Sequence, residues 1–177
     1  MKIDQLIIDC KAALNDDIPT KGIREAVARA VSSKKDAIKA LGELKEGGVN
    51  KIFVSDELTI LNIVWSPGFK IMPHNHNMWA VIGIYSGQED NIFWRRIEDD
   101  KDGRIEEASK KSLGPKDVTV LGKNIIHSVT NPTSKFTGSI HVYGGDFFEM
   151  HRSEWGFNSL KERPYDVEKN MQAFKAN

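Results

Sequence analysis

Five histidines lie between positions 74 and 151, and two of them, His74 and His76, are separated by a single residue. On an extended strand that spacing turns both imidazoles to one face and Asn75 to the other. Such a pair binds one metal ion if a third ligand reaches it from elsewhere in the fold. His127 is the expected third ligand, because it sits in a strand-like run, Ile125-Ile126-His127-Ser128-Val129, well separated along the chain. Neutral imidazole suits iron, zinc, copper and nickel alike, so the three residues leave the metal open. Glu89, just past a glycine turn, and His151, near Trp155, are expected on the surface.

A second polar constellation lies further along the chain. Ser139, His141 and Tyr143 alternate with Ile140 and Val142, so the three polar side chains share one strand face. A polar face on an interior strand is costly unless its members hydrogen-bond one another. A Ser-His-Tyr chain meets that condition, with imidazole donating at one nitrogen and accepting at the other. The phenol is then presented to whatever binds the metal.

Positioning these groups requires a β framework, and the sequence supplies one. Runs rich in β-branched and aromatic residues at 51–54, 58–65, 79–85, 92–97, 118–121, 125–129 and 136–143 read as strands. Ser66-Pro67-Gly68, Ser86-Gly87, Lys101-Asp102-Gly103, Gly114-Pro115 and Asn131-Pro132 separate them as turns. Many short strands at this spacing predict a barrel or double-sheet jelly roll. Before it, two helices are expected, one on the stripe Ile3, Leu6, Ile7 and Leu14. The other is longer, running from Pro19-Thr20 through Ile38 and Leu41 to a stop at Gly47-Gly48. The expected organisation is one mainly β (α+β) domain over 1–177: N-terminal helices at 1–48, a β-barrel at 49–150 and a polar C-terminal tail at 151–177 with a short helix from 167 to 174.

Composition narrows the function. Lys plus Arg and Asp plus Glu both total 25, a formal net charge of zero, which gives no electrostatic reason to expect nucleic acid or an anionic membrane as partner. No apolar run approaches the ~20 residues that span a bilayer. Asp4, Asp9 and Lys11 interrupt the first segment where a signal peptide would need an apolar core. The single cysteine, Cys10, forms neither an internal disulfide framework nor a zinc thiolate cluster. A cytoplasmic protein, monomeric or homodimeric, is expected.

Gly68-x5-His74-x-His76, followed after a strand by Gly87, resembles the first cupin motif, and His127-x3-Asn131 resembles the histidine end of the second. Ala80 and Val81 stand where the first motif's glutamate would fall, leaving three histidines without a carboxylate, a pattern similar to the thiol dioxygenases among the cupins. The run Thr137-Gly138-Ser139-Ile140-His141-Val142-Tyr143 resembles the Ser-x-His-x-Tyr run of cysteine dioxygenase-like proteins, where it supplies an outer-sphere relay. Residues 126–132 also look like that family's third-ligand region, and the resemblance extends over roughly 51–143.

That resemblance implies a cupin double-stranded β-helix, or jelly-roll barrel, with N-terminal helices. It implies an Fe(II) centre on His74, His76 and His127, with Ser139, His141 and Tyr143 as the catalytic relay. Three facial histidines would leave adjacent sites for a bidentate substrate and O2. The implied reaction oxidises a small, carboxylated thiol, of the cysteine or 3-mercaptopropionate type, to a sulfinate. The arginine that clamps the substrate carboxylate in the family falls at Lys51, a point charge in place of a bidentate fork. Arg95, Arg96 and Arg152 are the other cations considered, and adjacent Arg95 and Arg96 must project to opposite strand faces. The cysteine that some members crosslink to the relay tyrosine corresponds to a position near Ala80, so no crosslink is expected. A zinc or nickel cupin hydrolase, isomerase or diketone-cleaving dioxygenase, and a non-catalytic ligand-binding cupin, are the alternatives. A binding barrel has no need of a relay beside its metal.

Overall fold

The computed structural model describes residues 1–175. Three helices come first: α1 (Ile3–Ala13), α2 (Pro19–Val31) and α3 (Lys34–Leu41). In α2, Pro19 occupies the first turn, where its missing N–H costs nothing, and Ile23, Ala26, Val27, Ala30 and Val31 form one buried stripe. The single long helix expected from 19 onward is broken at Ser32-Ser33. Ser33 is extended and its hydroxyl caps α3 by accepting from the Asp36 N–H at 3.3 Å. Gly42, at φ 95°, ends α3 several residues before the expected stop, and Gly48 instead opens the first strand.

Among the described residues eleven strands come next, followed by a fourth helix. They are β1 (Gly48–Val54), β2 (Thr59–Trp65), β3 (Lys70–Asn75), β4 (Ala80–Ser86), β5 (Glu89–Arg96) and β6 (Ile105–Leu113). The remainder are β7 (Val118–Leu121), β8 (Ile126–Thr130), β9 (Thr137–Tyr143), β10 (Ser153–Trp155), β11 (Glu162–Pro164) and α4 (Val167–Lys175). One sheet has the order β1-β2-β9-β4-β7 and the other β11-β10-β3-β8-β5-β6. Two facing antiparallel sheets of this order make a double-stranded β-helix, the jelly-roll barrel that was expected. Among the described residues no helix is long and apolar enough to cross a membrane.

Every residue of β2, β4 and β9 is buried, because that sheet is covered on both faces. On β9, Ile140 and Val142 join Leu6, Cys10, Val27 and Val31 in the core beneath the helices. The alternate residues of β9 face the barrel interior, where Tyr143 packs with Leu61, Trp65, Ile82 and Phe147. The segment expected as a polar tail completes this barrel. β10 pairs with β3, setting Glu154 opposite His74, and the Phe174 ring of α4 packs at a tilt against Trp65, 4.9 Å between centroids, and Phe69, 4.6 Å.

Close packing in β9 leaves no room beside Gly138: a Cβ there would run into the ring of buried Tyr85, whose hydroxyl is tied to Asn62 Oδ1 at 2.9 Å. Gly138→Ala should therefore destabilise the fold by about 1–3 kcal/mol, the cost of overpacking. Thermal unfolding should show a fall of several degrees, and an unchanged Tm would mean that Tyr85 swings aside at no cost.

Candidate metal centre and relay

The register of β3 against β8 sets His74 directly opposite His127. Between Ile71 and His74 the pairing slips at Met72-Pro73, the kind of irregularity that a proline imposes on a strand and that re-aims the side chains beyond it. His76 lies one residue past the end of β3, and Asn77 turns the chain with φ 55°. The three rings nonetheless converge. Their centroids are 4.9 Å apart for His74 and His76, 4.8 Å for His74 and His127, and 5.1 Å for His76 and His127. One nitrogen of each lies within 4.8 Å of the others, and all three residues are buried.

Hydrogen bonding selects which nitrogens face inward. His74 Nδ1 is 2.9 Å from the Met72 carbonyl, and His127 Nδ1 is 2.9 Å from Asn91 Oδ1. Both partners can act as acceptors, so each Nδ1 donates a proton and each Nε2 keeps its lone pair for the centre. His76 Nε2 sits 3.0 Å from His127 Nε2, and His76 Nδ1 is buried with no partner among the described residues. Burial pushes the His74 pKa down to about 4, and it holds His76 and His127 well below the usual imidazole range. Near neutral pH all three are therefore uncharged, the form that binds a metal. Buried, uncharged imidazoles with nitrogens turned toward one another fit a cation, and no carboxylate belongs to the group.

The polar face of β9 forms the predicted chain. Ser139 Oγ lies 2.9 Å from His141 Nε2, and His141 Nδ1 lies 3.0 Å from the Tyr143 hydroxyl. The Tyr143 ring stands 4.9 Å from that of His76 and 4.6 Å from that of Phe147. Burial raises the phenol pKa well above its ordinary value, so Tyr143 stays protonated and works as a hydrogen-bonding group. Ala80 is the register partner of Tyr143, and Cys10 is buried beneath the helices.

Three charged positions differ from expectation or extend it. Glu89 is not on the surface: it is fully buried, its Oε1 3.5 Å from His141 Nε2. Lys51 is exposed on β1 with its ammonium 3.9 Å above the Phe148 ring, and it is not brought to the histidines. Arg95 and Arg96 are spent on surface pairs with Glu106 and Glu162. Arg152, by contrast, is buried between the Phe147 and Tyr165 rings, its guanidinium carbon 4.2 Å from each centroid. It donates to the carbonyls of Phe147 and Met150, and its side chain also hydrogen-bonds with that of Tyr165. Its charge is felt at His74, His76 and Tyr143. His151 is exposed, as expected.

A narrow cavity lies against His74, His76, His127, His141 and Tyr143 and is closed by Asn170, Met171 and Phe174 of α4. Its remaining walls are mostly apolar. The closing helix was expected, but its place over the barrel was not, since a nine-residue amphipathic segment carries no signal of where it docks.

Solved structures share the architecture. An RmlC-like cupin family protein with a double-stranded β-helix fold from Methanocaldococcus jannaschii is 14% identical, with 62% of this chain and 88% of that one covered at a TM-score of 0.49. A protein from Bacillus halodurans is 12% identical, with 63% and 76% covered at a TM-score of 0.50. A variant of oxalate decarboxylase from Bacillus subtilis is 17% identical over 68% of this chain but only 29% of its own, at a TM-score of 0.45. At such identities the likeness is one of fold. No protein-family model matches the chain.

Proposed function

We propose that the protein is an iron-dependent thiol dioxygenase that converts a small carboxylated thiol and O2 to a sulfinate. The observation that carries this is the hydrogen-bonded chain Ser139–His141–Tyr143, which ends with the phenol ring against His76. His74, His76 and His127 would hold the iron through uncharged imidazoles. Bound iron would supply the redox chemistry by which both oxygen atoms of O2 reach sulfur. Tyr143 orients what lies in the cavity by a hydrogen bond. Apolar walls such as Ile63, Trp65 and Phe147 keep the site dry, which strengthens every polar contact within it.

Metal analysis of the purified protein, followed by oxygen uptake with 3-mercaptopropionate, cysteine and an uncharged thiol, tests this directly. Iron-loaded protein should consume one O2 per sulfinate formed. Zinc or nickel in the centre, with no oxygen uptake after iron loading, would point instead to another class of metal-dependent cupin.

The substrate carboxylate is assigned to Arg152 and not to Lys51. Arg152 lies beside the histidine cavity, in the wider neighbouring pocket that shares Tyr165 and Val167 with it, and its buried guanidinium can donate to a carboxylate that reaches between the two. Arg152→Met should raise KM for carboxylated thiols roughly ten- to a hundredfold, the value of about 1.5–3 kcal/mol for a charge-assisted hydrogen bond. KM for an uncharged thiol should barely move. Lys51→Met, which removes an exposed charge, should shift either KM by no more than about fivefold. Equal losses on charged and neutral thiols in Arg152→Met would remove that residue from substrate binding.

A further inference from the structure

Glu89 opens β5 in one sheet, and His141 lies on β9 in the other, so their contact crosses the barrel interior. Gly87, at φ 81°, makes this possible. The chain turns there against Thr137, whose hydroxyl accepts from the Gln88 N–H at 2.9 Å and donates to the Gln88 carbonyl at 3.0 Å. Two residues further on, Glu89 is fully buried, and its Oε2 has no partner among the described residues. A carboxyl group taken out of water in this way is expensive, and among the described residues the side chain that meets it is the imidazole of His141. A relay of Ser139, His141 and Tyr143 alone gives it no role.

Counting donors around His141 supplies one. Trp65 Nε1 can only donate, and it does so to Ser139 Oγ at 3.1 Å; the Ile63 carbonyl can only accept, and it lies 3.4 Å from the same oxygen. With its proton directed to Ile63, Ser139 offers His141 a lone pair. Glu89 Oε1 is the second acceptor at that nitrogen. Two acceptors therefore converge on His141 Nε2, at 2.9 Å from Ser139 and 3.5 Å from Glu89, and that nitrogen must carry the ring proton. Nδ1 is then the acceptor, and the Tyr143 hydroxyl, 3.0 Å away, donates to it.

We propose that Glu89 is a positioning residue, the terminal member of a Glu89–His141–Tyr143 chain that fixes the His141 tautomer. The phenol proton is thereby turned away from the cavity, and Tyr143 presents only lone pairs to a ligand there. Tyr143 accordingly accepts a hydrogen bond from a substrate that carries an N–H, such as cysteine, and does not donate one. The consequence for turnover rests on the dioxygenase reading; the tautomer does not.

Nitrogen-15 NMR of histidine-labelled, metal-free protein reads the tautomer without any activity, and loss of the signals in His141→Gln assigns them. Wild-type His141 should be protonated at Nε2 and bare at Nδ1. Ser139→Ala should keep that pattern, because Glu89 alone suffices. Glu89→Leu, which replaces a buried carboxyl group by an apolar group of similar size, should let a visible Nδ1–H population appear as Ser139 reorients. If Glu89→Leu does not fold, Glu89→Gln carries the test, since its amide can donate to Nε2 and favour the same change. In the iron-loaded enzyme kcat should fall about tenfold in these variants with KM for the thiol unchanged. A wild-type ring protonated at Nδ1 or at both nitrogens, or a tautomer indifferent to Glu89, overturns the proposal. The expected tautomer in a protein that oxidises no thiol would instead leave Glu89 in place and discard the dioxygenase.

Discussion

His127→Ala should yield a folded protein that retains almost no metal and turns over no substrate. His127 is the ligand that β8 contributes opposite His74, and its ring lies 4.8 Å and 5.1 Å from the other two. Removing it leaves the pair from β3 and its end, which cannot close three sites on a metal alone. Loss of an outer partner gives a scale for the effect, since breaking such a contact costs about 10–100-fold in affinity or activity. Asn91→Ala, which frees His127 Nδ1 from its 2.9 Å partner, should fall in that range, and His127→Ala should exceed it. Metal per chain after gel filtration and oxygen uptake on the same samples measure both, with circular dichroism to establish folding. Full occupancy in His127→Ala would remove that residue from the ligand set. The same series with His74→Ala and His76→Ala should give losses as complete, because each imidazole supplies a bond that the others cannot.

The residues that could be placed by spacing alone were those on strands with clear flanks. His127 and the alternating Ser139, His141 and Tyr143 sit in short β-branched runs, and period-two alternation gives their shared face directly. Where alternation was absent, so was the signal. β6 has seven exposed residues between Ile105 and Leu113 and is held by backbone pairing to β5, which leaves no hydrophobic pattern to read. β10 and β11 are three residues each, too short for any period. Glu89 was missed because β5 begins at that residue and not at Ile92. Extending the alternation back from Phe93, opposite His127, through Asn91 turns Glu89 inward as well. Arg152 is different in kind. It lies between strands, and its burial depends on Tyr165 and Phe147 arriving from separate segments, which no local pattern encodes.

Tyr143→Phe separates the relay from the metal. The substitution deletes one hydroxyl and keeps the ring that packs at 4.9 Å from His76 and 4.6 Å from Phe147, so neither the fold nor the iron content should change. What disappears is the 3.0 Å bond to His141 Nδ1 and the phenol oxygen that faces the cavity. A contact made chiefly in the transition state lowers kcat and kcat/KM together. A fall of roughly ten- to a hundredfold is expected if the lost bond is worth about 1.5–3 kcal/mol. His141→Gln should reproduce the defect, since it cuts the chain behind the phenol while sparing the three ligands. Iron per chain and the ratio of O2 consumed to sulfinate formed are the deciding measurements. A fully active and coupled Tyr143→Phe enzyme would strip the relay of its role in turnover. Loss of iron in His141→Gln would be more damaging, because it would make His141 a ligand in a centre assigned to His74, His76 and His127.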